Sequence, residues 1–337
     1  MGHKHLMFVH GRATKPDGDT KLRLVREALL HRLQQVDAEA HGQIERGEVK
    51  VTLVYYGDIL NRLLLDAGDV NAADMVVGAD GKLYEPPDAY DASLTRLKAR
   101  SVDQHTAADY RRVIREERDL RFVDDLARLA SPLIPSGLTR RIIRRALPDL
   151  DRYIGSRREG SAIRVRLQEP LKRALDDGDD ICIVSHSMGC VVAYDVLWKF
   201  SQMSEYARYH DRRIGLWITL GSPLGEPAVQ GALYDSNEPP DGRYPRNVSS
   251  WVNVAAHDDF VAHDATVADD FLPMRGLGCD IQDHPRIHTF WVGREGSNPH
   301  KLYGYLNHPH VARVVGAWVR GWEAGATPDV PAARRDG

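Results

Sequence analysis

The stretch from Asp180 to Tyr194, DICIVSHSMGCVVAY, constrains the chain more than any other. Ile181, Cys182, Ile183 and Val184 form a short apolar run with the length and β-branched content of a buried strand. Ser185, His186, Ser187, Met188 and Gly189 follow without a spacer. Cys190, Val191, Val192, Ala193, Val196, Leu197, Trp198 and Phe200 then read as a mostly apolar helix. A strand that enters a helix through five residues leaves Ser187 in a tight, strained turn. The positions two residues to either side must therefore be small. Gly189 meets that need on one side and Ser185 on the other.

A strand, a serine turn and a helix together make a nucleophile elbow, in which the helix N-terminus aims free N–H groups at the serine and at any anion formed beside it. On these residues the chain resembles the α/β-hydrolase superfamily, with SHSMG as its elbow and Ser185 in place of the first glycine of G-x-S-x-G. Other stretches are similar. HLMFVH, His5 to His10, is a strand that runs into Gly11 and Arg12, as where many members of the superfamily begin the loop that supplies one oxyanion-hole N–H. Gly221-Ser222-Pro223-Leu224 after the strand Ile214–Leu220 resembles a turn of lipase-like members.

The rest of the chain is consistent with an α/β class. Leu22, Val25, Leu29, Leu33 and Val36 share one helical face, with Asp19 or Thr20 placed to cap it. Val49–Tyr56, Trp251–Ala256 and Arg286–Val292 read as strands, Ile163–Leu175 as a helix, and Val311 to Trp322 as a last helix with Pro309 in its first turn. Residues 61–160 change character: charge is dense, Tyr110–Ala130 is helical, and Leu138, Ile142, Ile143, Leu147 and Leu150 make an apolar stripe opposite Arg140, Arg141, Arg144 and Arg145. The arginine face reads either as solvated surface or as a site for an acidic substrate or lipid surface.

The expected architecture is the α/β-hydrolase fold: a mostly parallel central sheet flanked by helices, with a helical cap insertion. Residues 1–60 and 161–325 form the core, 61–160 the cap and 326–337 a flexible tail. In that cap, Ile142 and Leu147 are expected to line an apolar acyl pocket.

A serine hydroxyl needs a general base, and the base a carboxylate to orient it. The superfamily order of serine, acid, histidine is present. Asp259-Phe260-Val261-Ala262 resembles the D-x-V-A run after the acid strand, with Asp258 as the alternative. His300 stands before the last helix, where the superfamily places its base. The run from His300 to Tyr305-Leu306 resembles H-x-x-Y-L with two extra residues, which leaves His308 as the alternative. The expected catalytic set is Ser187, Asp259 and His300, with an oxyanion hole from Met188 and Gly11 or Arg12. His186 reads as structural, Cys190 as a packing residue, His288 as packed within the last strand, and His308 and His310 as surface residues of the last helix.

The expected function is a serine esterase or lipase acting on a small acyl ester or lipid-like substrate without metal or cofactor. The alternatives are a non-catalytic ligand- or partner-binding protein of the same fold and an acyltransferase with the same triad. His257, Asp258, Asp259, His263 and Asp264, or His284 with His288, also invite a metal-site reading, but no H-E-x-x-H or C-x-x-C spacing supports it. A net charge of −3 gives no pull toward nucleic acid. Three cysteines do not make a disulfide framework, no signal peptide opens the sequence, and no apolar run is long enough to span a bilayer, so a cytoplasmic location is expected.

Overall fold

The computed structural model describes residues 2–116, 148–293 and 296–321. Its elements in chain order are β1 (Lys4–Val9), α1 (Gly18–Val36), α2 (Ala38–Glu45), β2 (Val49–Val54), α3 (Gly57–Asp66), α4 (Asp88–Lys98), α5 (Ala107–Glu116), α6 (Pro148–Gly155) and α7 (Arg157–Asp177). After these come β3 (Asp180–His186), α8 (Met188–Gln202), β4 (Ile214–Leu220), β5 (Val248–Ala256), β6 (Asp280–Ile287), α9 (Leu302–Leu306) and α10 (Pro309–Val319). Short hairpins and turns join them.

The six long strands make one sheet in the order β2-β1-β3-β4-β5-β6, parallel throughout. A parallel sheet needs both faces covered, and the strand sequences show it. Side chains alternate along β1, so Leu6 and Phe8 enter one core while Met7 and Val9 enter the other. The Met7 side packs on α3, α6, α7 and α8, and the Leu6 side on α1, α2, α4, α9 and α10. The chain builds β2 on one side of β1 and then crosses to β3 on the other. The strand order therefore reverses between β1 and β3, and in open α/β sheets ligands bind at the carboxyl ends of strands at such a switch point. The sheet register sets Val9 beside Ser185 and Leu220 beside His186, so both turns open at one level.

Several boundaries differ from expectation. The α1 cap is Asp17, whose carboxylate accepts from the Thr20 amide at 3.0 Å and the Thr20 hydroxyl at 2.7 Å. The buried face of α1 also carries Lys21 and Arg32 among its leucines. Lys21 Nζ donates to the Tyr303 hydroxyl at 2.9 Å, and Arg32 donates to the Asn307 carbonyl at 2.8 Å and the Arg100 carbonyl at 2.8 Å. The last sheet strand is Asp280–Ile287, not Arg286–Val292. It lies at the sheet edge, half in solvent, where Asp280, Gln282, Asp283 and Pro285 are tolerated and hydrophobic patterning fades.

The described parts of segment 61–160 share the sheet's own cores. Leu150 and Tyr153 of α6 join the α7–α8 side, and Tyr90, Leu94 and Leu97 of α4 join the α1 side. Leu138, Ile142, Ile143 and Leu147, the arginine face, most of the expected Tyr110–Ala130 helix, Trp322 and the 326–337 tail lie outside the described residues.

The histidines at the start of α10 depart most from expectation. His308 and His310 are buried, not exposed. The His308 ring meets His105 edge-on at 5.1 Å, His310 lies 4.0 Å from His284, and His288, just past β6, stacks on His257 at 5.4 Å. His308 caps α10 by accepting from the His310 amide at 3.1 Å. Burial pushes His310 down to about 3, with help from His284 and Arg313. Burial and then the guanidinium groups of Arg32 and Arg100 push His105 down to about 3.

The unfolded chain protonates such rings near 6.5, so between about 6.5 and about 3 it binds more protons than the folded chain. Stability is then complete above 6.5 and falls as pH drops through that window. The slope is up to about 1.4 kcal/mol per pH unit for each histidine. Urea unfolding from pH 7 to 4 checks this, and His310→Gln is expected to flatten the decline.

Candidate active site

Ser187 stands between β3 and α8 with φ 55° and ψ −130°, a conformation few L-residues adopt. Its amide donates to the Leu220 carbonyl at 3.1 Å, which ties the turn to the end of β4. The start of α8 passes so close to β1 that a Cβ on Gly189 would sit 2.6 Å from the carbonyl oxygens of both Val9 and His10. A Cβ on Gly11 would sit 2.7 Å from the Ser187 Cβ. Ser185, which stands in place of the pattern's first glycine, has its hydroxyl engaged: it accepts from Trp217 Nε1 at 2.9 Å and donates to the Ile218 carbonyl at 3.3 Å.

His300, just before α9, places Nε2 2.9 Å from Ser187 Oγ and Nδ1 2.9 Å from both carboxylate oxygens of Asp259. An ionised carboxylate only accepts, so Nδ1 carries the proton and Nε2 offers its lone pair to the serine hydroxyl. Asp259 follows β5 and is fully buried at its carboxylate. Burial alone would raise its pKa. The His300 ring, the Tyr305 hydroxyl and the Val261 amide outweigh that and hold the carboxyl below its usual range.

Asp258 points elsewhere: exposed, with φ 63°, it lies 2.9 Å from His257. His308 sits with His105, away from Ser187. The structure thus brings Ser187, His300 and Asp259 together and leaves Asp258 and His308 outside.

The loop after β1 is stiffened from several sides. The His10 Nδ1–H donates to the Gly11 carbonyl at 2.8 Å, and its Nε2 accepts from the Tyr56 amide at 3.1 Å. The Tyr56 hydroxyl donates to the His10 carbonyl. Lys15 Nζ gathers the carbonyls of Arg12, Ala13 and Thr14. Gly11 is thereby held against Ser187. Met188 opens α8, where first-turn amides have no intrahelical acceptor and the helix end is positive.

Two contributors were not anticipated in these roles. His186 Nε2 donates to the His300 carbonyl at 2.6 Å, and burial keeps its ring neutral. The elbow itself therefore holds the backbone of the base. Tyr305 donates to Asp259 Oδ2 at 2.5 Å. Its sequence signal was the Tyr-Leu pair after His300, which served only as an alignment mark.

Among the described residues, no group of three or more His, Cys, Asp or Glu is arranged to hold a metal ion. His263 lies 3.9 Å from Glu226, and His284 packs on His310 rather than converging with His288. Also among the described residues, no helix is long and apolar enough to cross a membrane. Ile142 and Leu147 lie outside the described residues. Comparison with known proteins found no match among family models, curated proteins or solved structures.

The Ser187 backbone gives a test independent of any reaction. Ser187→Ala and Ser187→Gly both remove the hydroxyl, but only glycine relieves the positive φ. Ser187→Gly is expected to be more stable than Ser187→Ala by about 1 kcal/mol or more in chemical denaturation. Gly189→Ala is expected to destabilise by roughly 1–3 kcal/mol, because the carbonyls it meets belong to backbone that cannot yield cheaply.

Proposed function

We propose that this chain is a serine hydrolase of the α/β-hydrolase type, cleaving a carboxylic ester or related acyl bond through an acyl-enzyme on Ser187. The observation that carries this reading is the unbroken hydrogen-bonded line Asp259–His300–Ser187 at the carboxyl end of a parallel sheet. Asp259 is held below the usual carboxyl range, as its orienting role requires.

In this mechanism Ser187 Oγ attacks the acyl carbonyl as His300 Nε2 takes its proton. The imidazolium that forms is held by Asp259. The carbonyl oxygen becomes an oxyanion, stabilised by the Met188 amide and by an amide of the Gly11–Arg12 loop; each such donor is worth about 3 kcal/mol of barrier. The His300 proton then passes to the leaving alcohol, the C–O bond breaks, and the acyl group remains on Ser187. Water, deprotonated by His300, attacks the acyl-enzyme and releases the acid and the free serine. The substrate class is a small-molecule acyl ester or a lipid-like ester.

Labelling with a fluorophosphonate and hydrolysis of short p-nitrophenyl esters test the proposal together. Ser187→Ala is expected to lose both while remaining folded. His300→Ala is expected to lower kcat by about 10³-fold or more, and Asp259→Asn somewhat less. Hydrolysis that survives in Ser187→Ala would overturn the reading. Acyl transfer to an added alcohol in preference to water would redirect it to an acyltransferase.

A further inference from the structure

We propose that Tyr305 is a positioning residue for Asp259, fixing the carboxylate that orients His300; this rests on the serine-hydrolase reading above. Tyr305 lies on α9, five residues after His300, and its side chain is fully buried. Its hydroxyl accepts from the Ala256 amide at 2.8 Å, at the last residue of β5. With that lone pair engaged, the phenolic proton is directed to Asp259 Oδ2, 2.5 Å away. Burial and the neighbouring Asp259 keep the phenol protonated, so it remains a donor wherever the site operates.

The carboxylate is thus held at both oxygens. Oδ1 accepts from the amides of Val261 and Ala262 at 2.9 and 3.4 Å, which fixes one end within its own turn. On Oδ2, apart from the His300 ring, Tyr305 is the only hydrogen-bond donor among the described contacts. Gly221 closes the remaining side, since a Cβ there would meet Oδ2 at 2.6 Å. Without the phenol, Oδ2 keeps only His300. The carboxylate is then freer to turn about its Oδ1 anchors, and the charge on Oδ2 is shared with one donor fewer.

Both effects act on His300. A looser carboxylate lowers the fraction of rings aimed at Ser187, which reduces kcat. A more concentrated charge favours the imidazolium formed during the reaction, which is expected to move the acid limb of the pH–rate profile to higher pH. The other titratable groups around the pair enter the same balance. His186 is neutral with its ring 4.7 Å from that of His300, and Lys15 and Lys21 both reach His186 electrostatically. Cys190 bears electrostatically on Tyr305, and Asp258 and Asp259 both bear on Tyr110. None of these groups is removed by substitution at 305.

The test compares kcat, KM and the pH profile of kcat/KM for a p-nitrophenyl ester in the wild type and Tyr305→Phe. Tyr194→Phe serves as comparator. It also removes a buried phenol bonded to a carboxylate, at 2.7 Å from Asp235, from α8 itself. Tyr305→Phe is expected to retain full fluorophosphonate stoichiometry and KM while losing about tenfold in kcat, the scale of one hydrogen bond to a charged group. Its acid limb is expected to move to higher pH by about half a unit or more. Tyr194→Phe should leave the limb in place. Incorporating 3-fluorotyrosine at position 305 keeps the shape and strengthens the donor, so it should fold and move the limb the other way.

An unmoved limb in both 305 variants, with losses that follow thermal stability as in Tyr194→Phe, overturns the positioning role. A wild-type protein that the probe leaves unlabelled overturns the serine-hydrolase reading instead, and Tyr305's part in it.

Discussion

The close passage of the start of α8 across the end of β1 governs the rest of the structure. Gly189 has two carbonyl oxygens where a side chain would stand, and Gly11 has Ser187. Everything near the site follows from keeping those backbones in contact. The sheet must be parallel there, so that β1 and β3 end at one level, and Ser187 must take an unfavourable φ for α8 to start so soon. The energy that holds this strain comes from the two cores on either side of the sheet. Their contacts are individually weak and collectively large.

Polar groups buried beside these cores are satisfied by partners distant in sequence. Arg32 on α1 reaches the Asn307 and Arg100 carbonyls, and Lys21 reaches Tyr303. Tyr153 and the Tyr234 amide share Asp195 on α8, with Arg164 at 3.8 Å. Burial raises the Asp195 carboxyl to about 6, ahead of the groups that oppose it. Such networks add little net stability, but an unpaired member is costly, so they penalise wrong packing more than they reward the right one.

The legible parts of the sequence were those where one short stretch decides the outcome. Strand β3, the serine turn and α8 were readable because apolar runs and small residues meet within fifteen positions. Asp259 and His300 were readable by their order and neighbours. What escaped were features decided by contacts between distant segments. His308 and His310 look polar and exposed in a helix's first turn, yet His105 and His284 cover them. Strand β6 hides because an edge strand carries little hydrophobic periodicity. The hydroxyl of Tyr305 and the ring of His186 acquire partners only when β5, α9 and the elbow meet, and no local pattern encodes that meeting.

The shared carrier of His300 and Tyr305 has a consequence for length variation. Both side chains face Asp259 from one segment of six residues, of which His300 and Lys301 precede α9 and the rest belong to it. Adding or deleting one residue within α9 ahead of Tyr305 turns that side chain by about 100°, which carries the hydroxyl off the carboxylate. Length changes inside this short helix are therefore felt directly at the acid.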